Sequence, residues 1–235
     1  MSGSSGLVDR DTVRRAVAAA YCAAGLERSY AASAVAPLKK LVAAYPLTWY
    51  EVPGLKETTA AMHLHIKLGV PVDEVSGHDN DLAGRLYATQ VGGCILVEQK
   101  HPLVRRRFTV AHELGHYVLH VLPRLADGAT VFTEQLLRTE GEQDQDDAPA
   151  GYPMMIGNSG QVVLIDAAQA EKEADLFAAE ILMPEPLCRS LVEANLRRCR
   201  GKGQVLARLL ATECLVSELA MIRRLEELNL SVVAA

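Results

Sequence analysis

The sequence predicts an α+β fold. Helical patterning fills both ends of the chain, and the β-rich runs fall together between residues 48 and 98. Two of those runs form a hairpin that leads into a helix carrying the residues of a metal site. The chain has 235 residues, 49% hydrophobic and 23% charged, which suits a globular protein. Its net charge of −5 argues against a chain-wide affinity for nucleic acid or anionic membrane.

The elements follow in order. Residues 8–26 read as an Ala-rich helix with Val13, Ala16, Val17, Ala20 and Tyr21 on one side, stopped at Gly25. A second helix is expected over 31–45, irregular at Pro37 and ended by Pro46. Residues 48–52 form a short β-rich run closed by Pro53-Gly54, and 56–68 a helix stopped by Gly69. His63 and His65 on that helix are two apart and do not share a face, so they make a poor metal pair. After a polar loop at 76–81, residues 83–90 and 93–98 read as a hairpin around Val91-Gly92-Gly93. The connection 101–107, with Arg105, Arg106 and Arg107, reads as a solvated turn. Residues 130–137 are a strand or a short helix, 140–147 an acidic loop and 161–165 a further short strand.

Residues 107–120 read R-F-T-V-A-H-E-L-G-H-Y-V-L-H and contain H-E-x-x-H. On a helix, His112 and His116 lie one turn apart on one face and can hold one metal ion. Glu113 lies beside the ion and is placed to take a proton from a water molecule bound there. Thr109 is the expected N-cap of this helix. His120 continues the histidine face but lies about 12 Å along the axis from His112, too far for both to bind the same ion together with the other ligands. It is therefore expected to be structural or to support a ligand.

A catalytic zinc usually takes three protein ligands. Residues 171–184 read as a second helix ended near Pro184, and its Glu171 can supply the third ligand. Asp175, four residues later on the same face, can accept the free ring N–H of a ligand histidine. Glu173 and Glu180 are rivals that fit the paired role worse. Glu173 points about 160° away from Asp175, and Glu180 is about two turns beyond Glu171. Zinc is the expected ion, with manganese as the alternative. Tyr117, Tyr152 and His101 are unranked candidates for stabilising an oxyanion.

These two stretches, H-E-L-G-H-Y-V-L-H and E-x-x-A-D-x-F-A-A-E-I-L-M-P, resemble the ImmA/IrrE-type metallopeptidases of the gluzincin kind, over about residues 55–230. The resemblance implies a zincin-like α+β fold with a small, mostly antiparallel sheet, an H-E-x-x-H helix and a Glu-bearing helix. It also implies an endopeptidase that cuts a helix-turn-helix repressor of the Xre/CI-like kind, relieving repression in a stress or mobile-element response. By itself the residue pattern reaches a metal-dependent hydrolase. The competing readings are a regulator that binds a repressor or DNA and keeps the metal for structure, and a broad-specificity metallopeptidase.

The chain is expected to divide into a helical N-terminal segment (1–47), a metallopeptidase core (48–184) and a helical C-terminal segment (185–235). In the last, 204–212 and 217–228 form a helix-turn-helix-like pair with Ser217 as N-cap. Eight Lys and Arg oppose six Asp and Glu there, a weak excess for a DNA reader, so direct DNA binding is not expected. The cysteines at 22, 94, 188, 199 and 214 are odd in number and form no C-x-x-C. With no spanning run and no signal peptide at 1–6, they point to a reducing cytoplasm.

Overall fold

The computed structural model describes residues 9–30, 32–70, 79–126, 131–137, 167–199 and 202–230, with the backbone alone over 131–137. The fold is α+β. Nine α-helices among the described residues surround a four-stranded mixed sheet. The strands are β1 (Leu47–Val52), β2 (Leu82–Thr89), β3 (Gly92–Glu98) and β4 (Val131–Leu137), in the order β1-β3-β2-β4. β1 runs parallel to β3, and the other two pairings are antiparallel. The β2–β3 hairpin turns at Gln90-Val91, with Thr89 facing Gly92. The segment expected to be strand or short helix at 130–137 forms strand β4.

Alternation along the strands divides the core between two faces. Cys94 and Leu96 of β3 face Val52, Leu55, Ala60 and Leu64, so α3 (Glu57–Leu68) covers that side. Ile95, Val97, Leu86 and Ala88 face the other way, onto Val110, Ala111 and Leu114 of α4 (Leu103–His116). This period of two is what one strand needs to serve two helix layers. Behind α4 lies α6 (Ala167–Leu182), and behind that α1 (Arg10–Ala23), joined where Tyr21 Oη donates to Ile181 O at 3.3 Å.

Several boundaries differ from the sequence reading. α2 covers only Leu38–Ala43, because Pro37 lacks an N–H and biases the residue before it away from helix. Thr109 is not the N-cap of α4. The helix starts two turns earlier behind Pro102, and Thr109 Oγ1 donates to Arg105 O inside it. The arginines read as a solvated turn therefore belong to the helix. Arg106 pairs with Glu51, and the buried Arg107 donates to Ala36 O at 3.2 Å and Leu215 O at 3.3 Å. The expected loop at 140–147 and strand at 161–165 lie outside the described residues.

After α4 the helix widens into a π turn, Tyr117–Val121, before α5 (Leu122–Ala126). Pro123 accounts for this: it has no N–H to give to residue 119 and its ring crowds that carbonyl. The Leu122 N–H bonds instead five residues back, to Tyr117 O. At the C-terminal end, α7 (Glu185–Asn195) precedes the pair α8 (Gly203–Cys214) and α9 (Glu218–Glu227). Ser217 caps α9, accepting from Ala220 N at 3.1 Å. Arg224 of α9 is 3% exposed and pairs with Glu180 of α6, so it does not lie on an outward face.

Candidate metal centre

Two glycines set the spacing that builds the site. Gly84 of β2 lies under α4. A Cβ there would sit 2.9 Å from Glu113 Oε1, 3.3 Å from Leu96 O and closer still to Thr109 Cγ2. The missing side chain lets the helix settle onto the sheet with Glu113 fully buried between them. On the opposite flank of α4, Gly115 lies against α6. A Cβ there would meet Phe177 Cβ at 3.0 Å and Ala174 Cα at 3.2 Å. This close crossing brings the face of α6 that carries Glu171 and Asp175 within reach of the two histidines.

His112 and His116 are 2% and 1% exposed. Their Nε2 atoms stand 2.9 Å apart. Glu171 closes the group, with Oε2 3.3 Å from His112 Nε2 and Oε1 3.5 Å from His116 Nε2. The three ligand atoms all lie within 4.8 Å of one another. Donors bound at about 2.0–2.1 Å around a tetrahedral zinc stand roughly 3.3 Å apart, so the spacing fits such an ion. Only Glu171 of the three opens appreciably to solvent, which makes its side the approach to the centre.

The far nitrogens of both rings are also engaged. Asp175 Oδ1 lies 2.8 Å from His112 Nδ1. A carboxylate accepts, so His112 donates from Nδ1 and turns its Nε2 toward the centre. His116 Nδ1 lies 3.1 Å from His120 Nδ1. His120 in turn reaches Glu173 Oε2 at 3.0 Å, and Gln169 donates to Glu173 Oε1 at 2.7 Å.

The electrostatics of the group follow from burial set against close partners. Burial of His112 opposes a charge, but Asp175 and Glu171 outweigh it and hold its pKa well above the ordinary histidine value. Burial likewise disfavours ionised Glu171, yet the two imidazoles bonded to it hold its carboxyl far below the usual range. Burial pushes His120 down to about 4, so it is neutral at ordinary pH.

Residues 67–148 match the model of a peptidase family described as the IrrE N-terminal-like domain. Over those residues the chain is similar to ImmA/IrrE-type peptidases. The match takes in the helix with His112, Glu113 and His116 and stops before α6, whose carboxylates are joined to the site by the geometry above. No curated protein matches the chain. The family is one of metallopeptidases, and the His112, His116 and Glu171 group could bind a metal.

The other sequence candidates fall elsewhere in the chain. Tyr117 is 2% exposed and packs in the core edge-on to Tyr45, with ring centroids 5.4 Å apart. His101 follows β3, its N–H bonded to Glu98 O at 3.3 Å. Tyr152 lies outside the described residues. Glu180 is drawn to Arg224 and to Tyr30 Oη, which donates to it at 2.7 Å. Glu173 turns out to touch the histidine chain through His120. Reading α6 alone gave no sign of this; the signal was His120, one turn beyond His116.

Proposed function

We propose that this chain is a zinc-dependent endopeptidase that cleaves a partner protein, a helix-turn-helix repressor of the Xre/CI-like kind, and so relieves repression in a stress or mobile-element response. The observation that carries the catalytic part is the convergence of His112 Nε2, His116 Nε2 and the Glu171 carboxylate beside a buried Glu113. The substrate class follows from the resemblance to ImmA/IrrE-type peptidases. The five cysteines are all free, in keeping with a reducing cytoplasm.

His112, His116 and Glu171 would hold the ion. When bound, a divalent ion supplies Lewis acidity, which acidifies water and polarises a carbonyl. Glu113 makes no bond to the ion in this reading. Its task is to take a proton from the attacking water and pass it to the leaving amine. Its burial against β2 holds it in place and keeps bulk water away. Asp175 keeps His112 in the tautomer that presents Nε2. An extended substrate segment can add to an edge of the sheet through backbone hydrogen bonds.

The test is incubation of zinc-loaded protein with the helix-turn-helix repressor encoded nearest its gene, with fragments read by mass spectrometry. Wild type should give discrete fragments. Glu113→Gln should bind zinc with near wild-type affinity and cut ~10²–10⁴-fold more slowly, since it loses the base and no ligand. Equal cutting by the two proteins rules out the role of Glu113. An intact repressor with active, zinc-loaded enzyme rules out that substrate.

A further inference from the structure

We infer that His120 and Glu173 are positioning residues for His116. Together they fix its proton on Nδ1 and so present Nε2 to the centre. This rests on the metal-site reading of His112, His116 and Glu171.

The hydrogen bonds can be followed inward from Glu173. Its Oε1 accepts from Gln169 Nε2 at 2.7 Å, and its Oε2 lies 3.0 Å from His120 Nε2. An ionised carboxylate only accepts, so His120 donates from Nε2. A neutral imidazole with its proton on Nε2 carries a lone pair on Nδ1. That lone pair faces His116 Nδ1 at 3.1 Å. Two lone pairs at this distance repel, so His116 holds its proton on Nδ1 and donates it. Its Nε2 is then the atom presented to the centre, 2.9 Å from His112 Nε2 and 3.5 Å from Glu171.

Asp175 produces the same result at His112 through one direct bond of 2.8 Å. Each ring thus has its proton on Nδ1 fixed by a carboxylate of the same helix, one directly and one through an imidazole, and with no ion between them the two Nε2 atoms, 2.9 Å apart, share a further proton that an ion displaces. The link from His116 to His120 is enclosed, the two rings being 1% and 5% exposed, so water does not readily replace His120 as the partner of His116.

A merely structural buried pair would affect stability whatever group stood at position 120. A positioning role depends on an acceptor facing His116. The comparison is therefore His120→Phe, which has no acceptor, against His120→Asn, whose side-chain oxygen can stand near the lost Nδ1. Zinc affinity is measured by competition with a chromogenic chelator, and imidazole tautomers by nitrogen-15 spectra of the metal-free and zinc-loaded proteins. His120→Phe should lose ~10–100-fold in zinc affinity, and His120→Asn should recover most of that loss. His116 should carry its proton on Nδ1 in wild type and divide between both nitrogens in metal-free His120→Phe.

If the Phe variant binds zinc like wild type, or Asn is no better than Phe, the inference is overturned. If wild type binds no zinc at all, the metal-site reading falls, and the spectra still decide the hydrogen-bonded chain: an unchanged His116 tautomer in His120→Phe overturns it. Should His120→Phe fail to fold, Glu173→Ala, at a partly exposed position, is read in the same two assays. It should release His120 from a single tautomer and weaken zinc binding, and no change in either overturns the inference.

Discussion

Gly84→Ala adds one methyl group at the place where α4 meets the sheet. Gly84 has no positive φ, so the cost is one of space and not of backbone strain. The new Cβ would stand 2.9 Å from Glu113 Oε1 and 3.3 Å from Leu96 O, and nearer than either to Thr109 Cγ2. Carbon atoms rest at about 3.5–4.0 Å, so the Thr109 methyl must retreat by roughly 1 Å and the Glu113 carboxylate by several tenths. Overpacking of this kind costs ~1–3 kcal/mol, which urea denaturation reads as a lower midpoint with an unchanged slope. The chemistry should suffer separately. Glu113 is displaced while His112, His116 and Glu171 are not touched by the new methyl. Repressor cleavage should therefore drop at least ~10-fold, out of the ~10²–10⁴-fold a general base supplies, while zinc affinity changes little. Unchanged cleavage would refute the claim that Gly84 sets the position of Glu113. An equal loss of zinc affinity would also refute it, because α4 would then be moving as a rigid body.

The carboxylates of α6 should separate in a zinc titration. Glu171→Ala should lose most, Asp175→Ala ~10–100-fold, and the exposed Lys172→Ala almost nothing; equal losses at 171 and 175 would mean that Asp175 is itself a ligand. Zinc affinity should also rise with pH. The folded pKa of His112 is raised by Asp175 and Glu171 against the effect of burial, so in the metal-free protein its proton contributes stability fully below the unfolded value of ~6.5 and loses it as pH rises through the raised value. Zinc must displace that proton, giving about tenfold in affinity per pH unit until His112 is neutral. Glu171, its pKa lowered by the same imidazoles against burial, is already ionised and adds nothing to this slope. Calorimetry in two buffers of different ionisation enthalpy measures the proton released, and an affinity that is flat between about pH 6 and 8 contradicts the assignment.

The parts of the site that one helix determines by itself were legible in the sequence. A spacing of four put His112 over His116 and Glu171 over Asp175, and the structure brings those four side chains together. What escaped depends on a second element. Glu173 looks misplaced on a wheel drawn for α6, because the wheel does not contain His120, whose ring spans the gap. Pro123 was visible, but its effect, a π turn carrying His120, needs the helix on both sides of it. Arg107 and Arg224 belong to exposed-looking charge runs, and only tertiary packing buries them against Ala36 O and Glu180. Gly84 carried a weaker signal: a glycine inside a strand pattern marks a close approach, without saying to what.

The C-terminal helix α9 supports the candidate site without touching it. α6 is a single helix whose first half presents Glu171 and Asp175 to α4 and Glu173 to His120 in the π turn, and whose second half presents Glu180 to Arg224 and Tyr30. Glu180 is held by Arg224 and by Tyr30 Oη at 2.7 Å, while Arg224 also donates to Met183 O at 3.0 Å and to Glu227 at 3.1 Å. A buried ion pair adds little net stability, but breaking one leaves a charge stranded. Sliding α6 by one residue would shift it about 1.5 Å and turn it about 100°, stranding Glu180 and swinging Glu171 and Asp175 away from the histidines together. The bonds that oppose such a slip include those from Arg224 of α9, from Tyr30 and from Tyr21 to Ile181 O. The second helix of the pair that resembles a DNA reader in sequence therefore helps to hold in register the helix that carries Glu171 and Asp175.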